Sequence, residues 1–405
     1  MKCRICLSNN TINFLSLGHQ PPSDAFLAKE QLNEPEVYYP LDLYFCEDCK
    51  LVQLGYTVDP KELFNENYAY TTGTSKDLVK NFQELTAKLT QEYNLNKDDL
   101  AIDIGSNDGT LLEGYTRFGI KILGVEPTGT ADLAVSKGIR TVKEFFNEST
   151  AKKILQQEGK AKIITATNMF AHVDTLSDFI EGINLLLTDD GVFISESHHL
   201  LSLIGQFQFD SIYHEHLRYY SLKPLIYLFK MHNMDLFNVE LITTHGGSLR
   251  VYACKRGAYK ILGSVQEVIK LEEAAGLYSK EKLIEYQKRA IQCRENLQEM
   301  IREIKREGAR IVGIGAPAKG NTLLNYCQLT ADTIDYLAEH SKLKIDKYSP
   351  GAHIPVLDEK KMLEEQPEYG LLLSWNLKDI IIPKLREKGY KGKVIVPIPT
   401  PIILN

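Results

Sequence analysis

The segment SIYHEHLRYYSL places a phenol, two imidazoles and a carboxylate in four consecutive positions, from Tyr213 to His216. So many titratable groups are unsuited to a buried strand, because each would lose its hydration. His216 is a candidate general base, since an imidazole titrates near neutral pH, and Glu215 could orient it or bind a substrate hydroxyl. The alternative is an exposed polar turn before a helix at SLKPLIYLFK. Four such groups together favour a reactive site.

Four of the seven cysteines form two C-x-x-C pairs, Cys3 with Cys6 and Cys46 with Cys49. Each pair can present two thiolates to one tetrahedral ion, so the two pairs predict a structural four-sulfur zinc site. A thioredoxin-type redox pair is the alternative, but it lacks a strand before Cys3. The remaining cysteines are scattered and are predicted to be packing residues: Cys254, Cys293 and Cys327.

A first glycine-containing loop lies between a predicted strand, LAIDIG, and a predicted helix. Its glycines allow a ligand to approach the backbone, and its acidic groups suit a ligand with an ammonium and a sulfonium group but would repel phosphates. Glu126 ends the next predicted strand, where a carboxylate can accept both ribose hydroxyls. The arrangement resembles the S-adenosylmethionine site of class I methyltransferases, with a tight structural turn as the alternative. The candidate donor-binding residues of this region are Asp103, Gly105, Asn107, Asp108, Gly109, Glu126, Phe145, Phe146 and Asn168.

A second loop, VGIGAPAKGN, matches G-x-G-x-x-A from Gly313 to Ala318, with Asp335 further along the chain. Taken alone, this pattern is a dinucleotide fingerprint, so a nicotinamide oxidoreductase is an alternative. Against it, one chain would then bind both S-adenosylmethionine and a nicotinamide, and no hydride-transfer constellation is evident. The loop could instead help to bind substrate phosphates, with Lys319 near a helix N-terminus, or it could be purely structural.

If the chain binds a methyl donor, the group that accepts the methyl must be identified next. Oxygen and nitrogen acceptors need at most one base, whereas a carbon acceptor must first become a carbanion. That step is feasible beside a ketone, because the charge moves onto oxygen as an enolate. The chain must then supply a base and donors aimed at the oxyanion. His216 fits the base, and Tyr213 or His172 could donate to the enolate.

The elements that must position these groups follow from hydrophobic periodicity. Over residues 67–258, apolar strand-like runs alternate with helical segments, which is typical of a doubly wound, mostly parallel α/β sheet. Over 279–307, apolar residues recur every three or four positions and predict one long amphipathic helix. Residues 1–66 show little regular periodicity. We therefore predict a zinc-ribbon-like domain at 1–66, a methyltransferase domain at 67–258 and a Rossmann-like substrate-binding domain at 259–405.

Nine motifs follow one another in a fixed order: CxxC…CxxC, YAYTTGTS, DIGSNDGTLL, GVEPT, NMFAHV, QFDSIYHEHLRYYSL, HGGSLRVYA, GAPAKGNTLLN and YSPGAHIPV. Together they resemble the sugar 3-C-methyltransferases of nucleotide-linked, typically dTDP-linked, deoxysugar biosynthesis, over essentially the whole chain. The resemblance implies that the three domains close around a 4-keto sugar nucleotide and that the C-terminal domain carries no nicotinamide. It implies His216 as the base for the proton on carbon 3, with Tyr213, Glu215 and His172 completing the site.

The resemblance also assigns residues outside these two regions. The segment that resembles the family's donor-binding lid contains Tyr68, Tyr70, Thr72 and Ser75. The segment that resembles a substrate-side turn contains His245, Gly246, Gly247 and Ser248. The chain departs from the family at ESHHLL, where a proline–aromatic pair is expected. His198 and His199 are predicted to face the sugar there, so the identity of the sugar stays open.

Composition narrows the class of protein. The 405 residues are 43% hydrophobic and 25% charged, with a net charge of −6, which is typical of a globular protein and argues against nucleic-acid or membrane partners. No apolar run reaches the roughly 20 residues that span a bilayer. The start lacks an apolar signal core, so a cytoplasmic location is expected. We expect a monomer or small homo-oligomer.

The sequence therefore predicts an S-adenosylmethionine-dependent C-methyltransferase with a structural zinc ion, acting on carbon 3 of a 4-keto sugar nucleotide. An O-methyltransferase with the same donor is the first alternative. A nicotinamide-dependent sugar-nucleotide oxidoreductase and a non-catalytic sugar-nucleotide-binding protein are the others.

Overall fold

The computed structural model describes residues 1–66, 68 and 70–405, and their strands form three sheets. The strands are β1 (Thr11–Gln20), β2 (Tyr39–Cys46), β3 (Val52–Leu54), β4 (Leu100–Ile104), β5 (Lys121–Val125), β6 (Thr141–Val142), β7 (Ala161–Thr167), β8 (Leu187–His198), β9 (Arg218–Tyr219), β10 (Met234–Ile242), β11 (Ser248–Lys255), β12 (Ile311–Ile314), β13 (Leu337–Glu339), β14 (Val356–Asp358), β15 (Tyr369–Leu372), β16 (Lys393–Val396) and β17 (Ile402–Leu404).

The helices lie on and between these sheets. They are α1 (Pro60–Leu63), α2 (Lys76–Glu92), α3 (Thr110–Thr116), α4 (Thr130–Ser136), α5 (Glu148–Glu158), α6 (Leu176–Leu186), α7 (Leu200–Gly205), α8 (Leu222–Met231), α9 (Gly263–Ala274), α10 (Lys280–Arg306), α11 (Ala318–Tyr326), α12 (Glu359–Glu365) and α13 (Lys378–Glu387). Short 3₁₀ turns cover Lys29–Asn33, Thr72–Thr74, Phe170–His172, Phe209–Ser211, Thr244–Gly246 and Trp375–Leu377.

The central sheet has seven strands in the order β10-β11-β8-β7-β4-β5-β6. Strand β11 is antiparallel to both of its neighbours, whereas β8, β7, β4, β5 and β6 run parallel to one another. All five residues of β4 are buried, as expected for a parallel strand covered by helices on both faces. This order and direction confirm the predicted class I methyltransferase sheet.

The N-terminal sheet contains more regular structure than the sequence pattern indicates. Its four antiparallel strands have the order β1-β2-β3-β9. The β1–β2 pairing changes register between Asn13 and Leu15 and again between Ser16 and His19, and such bulges hide the two-residue period of a strand. Strand β9 comes from the middle of the chain, so the N-terminal sheet holds the residues that directly follow His216.

The C-terminal sheet has the order β14-β13-β12-β15-β16-β17, with only β17 antiparallel. The predicted long helix is confirmed as α10, and its buried residues match the predicted apolar stripe: Leu283, Tyr286, Ala290, Cys293, Leu297, Ile301 and Ile304. They share one apolar core with strands of the N-terminal and C-terminal sheets. Cys254, Cys293 and Cys327 are buried, which agrees with their predicted packing role. Within the described ranges, every helix is too short or too polar to cross a bilayer.

Candidate active site

The four cysteines of the two C-x-x-C pairs meet at one point. Their sulfur atoms all lie within 4.8 Å of one another, and the Cys3 and Cys49 sulfurs are 3.4 Å apart. A backbone turn in which Leu7 N–H donates to the Cys3 carbonyl at 3.1 Å presents the first pair. Four thiolates in a closed cluster fit a tetrahedral structural zinc ion and leave no position for a substrate.

The first glycine loop requires glycine at both positions. Gly105 has a φ of 71°, and a Cβ there would lie 2.8 Å from the Met169 side chain. Gly109, with a φ of 78°, precedes α3, and a Cβ there would lie 2.4 Å from the Ile139 side chain. A larger residue would therefore be strained and would also displace a neighbour.

Two buried carboxylates line the loop. Glu126 accepts the backbone N–H groups of Asn107 and Thr128, both at 2.9 Å, so each carboxylate oxygen is oriented and keeps a lone pair for a ligand. Asp103 accepts the Thr165 hydroxyl at 2.6 Å. Burial raises the pKa of Asp103 to about 7, and a cationic ligand beside it would favour its ionised form.

The predicted donor-binding lid lies directly on this loop. Thr72 N–H donates to Asn107 Oδ1 at 2.9 Å, and the Asn107 amide donates to the Tyr70 carbonyl at 3.0 Å. Gly73 N–H donates to Asp108 Oδ2 at 3.0 Å. The lid therefore closes one side of the space above the glycine loop.

The cavity beside the lid measures about 380 Å³, within the range of roughly 300–1,000 Å³ that is usual for small-molecule sites. The predicted donor-binding residues that line it are Tyr68, Tyr70, Thr72, Asp103, Gly105, Asn107, Glu126, Phe145, Phe146 and Asn168. The other three predicted residues shape its walls: Ser75 caps α2, Asp108 holds the lid and Gly109 starts α3. Carboxylates, aromatic rings and close backbone fit the charged, ribose and adenine parts of S-adenosylmethionine.

The Tyr213–His216 segment lies next to this cavity, because the His216 ring contacts His172, which lines the cavity. The His172 ring lines the cavity and stacks on Phe64, which the sequence analysis missed. The centroid of the His216 ring is 5.1 Å from that of His172 and 4.1 Å from that of Tyr213. The structure thus brings three of the four predicted catalytic side chains together beside the predicted cofactor cavity.

The hydrogen bond of His216 defines its tautomer. Nδ1 lies 3.1 Å from the Ser211 carbonyl, which can only accept, so Nδ1 carries the hydrogen and Nε2 has a free lone pair. The expectation that His216 titrates near neutral pH is wrong for the free protein: burial lowers its pKa to about 4, and the ring is therefore neutral at physiological pH. A neutral imidazole with a free Nε2 can accept a proton.

Glu215 differs from an ordinary glutamate. It is buried, and burial followed by the nearby charge of Asp24 raises the pKa of its carboxyl to about 8, while Lys344 opposes the shift. The group is therefore largely protonated at pH 7 and can donate a hydrogen bond. Asp24 and Lys344 were absent from the sequence analysis, because both lie far from Glu215 along the chain. His214 instead lies 3.3 Å from the Tyr39 carbonyl, in a structural contact.

The two predicted substrate histidines after β8 have different surroundings. His198 Nε2 is buried and has no hydrogen-bond partner in the described part of the chain. Its pKa is lowered to about 3, first by burial and then by His216 and His245. His199 Nε2 lies 2.8 Å from Glu272 on α9, and Glu272 also accepts Leu222 N–H at 3.0 Å. Glu272 on α9 therefore links His199, which precedes α7, to the start of α8. This contact gives His199 a structural role in place of the predicted contact with the sugar.

The HGGS turn lies beside His198, because Ser248 on β11 pairs with His198 on β8. Ser248 Oγ donates to the Thr244 carbonyl at 3.0 Å, and His245 is exposed with a φ of 52°. A Cβ at Gly246 would lie 2.6 Å from Gln208, and one at Gly247 would lie 2.3 Å from Ser202. The close approach that these glycines permit is therefore to neighbouring side chains of the same protein. Their predicted contact with substrate is not needed to explain them.

The second glycine loop is occupied by groups of the protein itself. Lys344 Nζ donates to the Ala316 carbonyl at 2.9 Å, and the Asn321 amide donates to the Ser23 carbonyl at 2.7 Å. Lys319 bonds the Asn376 side chain and lies over the Trp375 ring.

The acidic residue of the fingerprint does not approach this loop. Asp335 pairs with Arg310, 2.8 Å away, at the other end of the strands. The carboxylate that does reach the loop belongs to Glu339, which accepts Ala316 N–H at 2.8 Å. The fingerprint thus predicts the loop but assigns the wrong acid.

Three family models match consecutive parts of the chain. Residues 3–64 match a zinc binding domain, residues 77–239 a methyltransferase domain and residues 243–399 a C-methyltransferase C-terminal domain. The C-methyltransferase NovU of Streptomyces niveus is 30% identical over 407 residues, a match that covers 100% of this chain and 97% of NovU.

Two solved structures are similar to less than half of the chain. An S-adenosylmethionine-dependent methyltransferase from Clostridium acetobutylicum is 14% identical with a TM-score of 0.36, covering 44% of this chain and 92% of that protein. Magnesium protoporphyrin IX methyltransferase from Synechocystis with bound S-adenosylhomocysteine is also 14% identical, with a TM-score of 0.35, covering 44% of this chain and 82% of that protein.

The match to NovU spans the whole chain; the four cysteines lie within the zinc binding match, and the glycine loop that borders the cavity lies within the methyltransferase match. The chain thus belongs to the C-methyltransferase family, as an S-adenosylmethionine-dependent enzyme with an N-terminal zinc-binding domain.

Proposed function

We propose that the protein methylates carbon 3 of a 4-keto sugar nucleotide, with a dTDP-linked deoxysugar as the expected substrate. The observation that carries the proposal is the geometry of His216. Its Nδ1–H is held by the Ser211 carbonyl, so its Nε2 carries the basic lone pair, and its ring adjoins His172 in the wall of the predicted cofactor cavity. A base in that place suits a carbon acid whose product carbon must face a methyl donor.

In this mechanism, His216 Nε2 takes the proton from carbon 3. The C–H bond breaks, and its electron pair moves into the adjacent ketone to give an enolate. The Ser211 carbonyl stabilises the imidazolium that forms, because it accepts the Nδ1–H bond. When bound, S-adenosylmethionine supplies an electrophilic methyl group for the enolate carbon.

Two groups can stabilise the developing oxyanion. Glu215 is protonated near neutral pH because its pKa is raised to about 8, so its carboxyl can donate to an oxygen of the substrate. The Tyr213 hydroxyl is a second donor, since burial raises its pKa well above the ordinary value and keeps it protonated. Donors in a buried site are worth more than in water, because no solvent competes for the charge.

The proposed substrate site lies between residues 67–258 and 259–405. His198, whose Nε2 has no hydrogen-bond partner among the described residues, lies near His216, and Ser248 pairs with His198 at the end of the central sheet. Lys319 and His245 remain candidates for the outer part of the substrate, with Gly246 and Gly247 shaping the turn that carries His245. We also propose that the domain boundaries lie after residues 66 and 258.

The experiment is a product analysis. The protein is incubated with methyl-labelled donor and a panel of 4-keto sugar nucleotides, and the new methyl group is located by mass spectrometry and NMR. We expect a methyl group on carbon 3. Methylation of a hydroxyl oxygen would contradict the proposal.

A matched pair of variants tests the base. His216→Asn is expected to bind S-adenosylhomocysteine normally but to turn over at least about 100-fold more slowly, the usual scale for loss of a general base. His214→Asn changes the neighbouring imidazole, which makes a structural contact, and is expected to stay within a few-fold of the wild type. Equal activity of the two variants would exclude His216 as the base.

A further inference from the structure

The loop between β7 and α6 forms part of the wall of the cofactor cavity, through His172, Val173 and Asp174. Groups from the N-terminal sheet hold this loop. Leu217 N–H donates to the Ala171 carbonyl at 3.0 Å, and Leu54 N–H on β3 donates to the Leu217 carbonyl at 2.9 Å. The backbone of the cavity wall is therefore attached to the sheet that carries the cysteine cluster.

Arg218 makes the second attachment. It lies on β9, is only 1% exposed, and donates to the Val173 carbonyl and, at 2.8 Å, to the Asp174 carbonyl. Burial of a guanidinium is unfavourable unless its donors are satisfied, and in the described part of the chain both Nη atoms of Arg218 have carbonyl partners whereas its Nε has none. A neutral side chain could fill this position in the core. Arginine suits this position because its guanidinium donates to two carbonyls of the cavity wall.

Arg4 makes the third attachment, and this residue belongs to the first C-x-x-C pair of the cysteine cluster. The residue lies between Cys3 and Cys6, and its backbone N–H donates to the Gln53 side chain at 2.8 Å. Its guanidinium lies 3.2 Å from the Asp174 carboxylate and donates to the Leu54 carbonyl at 3.4 Å. Any shift of the first C-x-x-C turn would therefore move a side chain that holds the cavity wall.

We propose that Arg4 and Arg218 are positioning residues that couple the four-cysteine site to the cofactor cavity, so that zinc occupancy raises the affinity for S-adenosylmethionine. Binding linkage is reciprocal, so the cofactor must raise the affinity for zinc by the same factor. This coupling concerns the cofactor alone and does not depend on the identity of the methyl acceptor.

The first test uses the zinc-loaded full chain and calorimetric titration with S-adenosylhomocysteine. Arg4→Met is expected to weaken binding about threefold to fivefold, the scale of a partly exposed ion pair, with zinc content and melting temperature unchanged. Arg4→Lys should recover part of the loss, because it keeps a cation near Asp174. Arg302→Met removes an exposed arginine–glutamate pair of α10 and should have no effect. Unchanged affinity in Arg4→Met would overturn the proposal.

The second test measures the affinity for zinc by competition with a chelator, with and without saturating S-adenosylhomocysteine. The wild type is expected to hold zinc more tightly when the nucleoside is bound, and this factor should shrink in Arg4→Met. A zinc affinity that S-adenosylhomocysteine leaves unchanged would overturn the coupling, whatever the activity of the enzyme.

Discussion

The central and C-terminal sheets, both mostly parallel, carry glycine loops with the same backbone conformation and different surroundings. In each, a glycine with a positive φ follows a strand: Gly105 at 71° after β4 and Gly315 at 81° after β12. In each, a buried glutamate at the end of the neighbouring strand accepts a backbone N–H of the loop, Glu126 in the first and Glu339 in the second. The first loop opens onto a cavity of about 380 Å³, whereas Lys344 lies against the second.

This difference shows what a glycine fingerprint specifies. Glycines fix where the backbone can turn and how closely another group can approach it. The loop of the central sheet borders the predicted cofactor cavity, while Lys344 of the protein itself binds the loop of the C-terminal sheet. The match at 313–318 therefore predicts the loop, and the groups around the loop decide what it contacts.

The largest expected effect is on cofactor affinity, and it should occur for Glu126 and not for Glu339. Glu126→Gln keeps the size of the side chain but turns an amide N–H toward the backbone donors and removes the charge. We expect affinity for S-adenosylhomocysteine to fall about 100-fold, which corresponds to two charge-assisted hydrogen bonds. The matched variant Glu339→Gln should lower thermal stability and leave this affinity within about twofold. Calorimetry on both variants checks the comparison, and equal losses would refute it.

A smaller effect concerns the pH dependence of the first loop. Burial raises the pKa of Asp103 to about 7 in the free protein. A cationic cofactor favours the ionised carboxylate, so its affinity should rise as pH increases through 7. Affinity for S-adenosylmethionine is expected to be about tenfold weaker at pH 6 than at pH 8. Asp103→Asn should bind weakly at both values, and a wild type with no pH dependence would contradict the assigned role.

The smallest effect probes the group that covers the second loop. Lys344 lowers the pKa of Glu215, which burial has raised to about 8. The proposed mechanism needs protonated Glu215, so kcat/KM should fall as pH rises through about 8. Removing the cation in Lys344→Met should move this alkaline limb to higher pH, whereas Lys342→Met, at an exposed position, should not. If the alkaline limb of kcat/KM stays at the same pH in Lys344→Met, Lys344 does not influence the protonation of Glu215.

Features set by local periodicity could be predicted from the sequence. The seven buried residues of α10 follow a helical repeat, and the strands of the central sheet are apolar runs between helices. Candidate residues that share one loop or one strand end, such as Asp103 and Glu126, also lie together, since the carboxyl ends of parallel strands meet.

Features that depend on distant parts of the chain could not be predicted. Strand β9 joins an N-terminal sheet, and no local pattern indicates its partner. Glu215 has a raised pKa because Asp24 lies near it in the folded chain. His199 looked equivalent to His198, but Glu272 on a later helix binds it. In each case the deciding neighbour is far away in sequence.

In the proposed mechanism, the enzyme makes a carbanion at carbon 3 with His216 as the base. The most direct measurement is exchange of the carbon 3 hydrogen for deuterium in heavy water, followed by NMR on the 4-keto sugar nucleotide without methyl donor. We expect exchange in the wild type and a rate at least about 100-fold lower in His216→Asn. No exchange in the wild type, or equal exchange in both proteins, would contradict it.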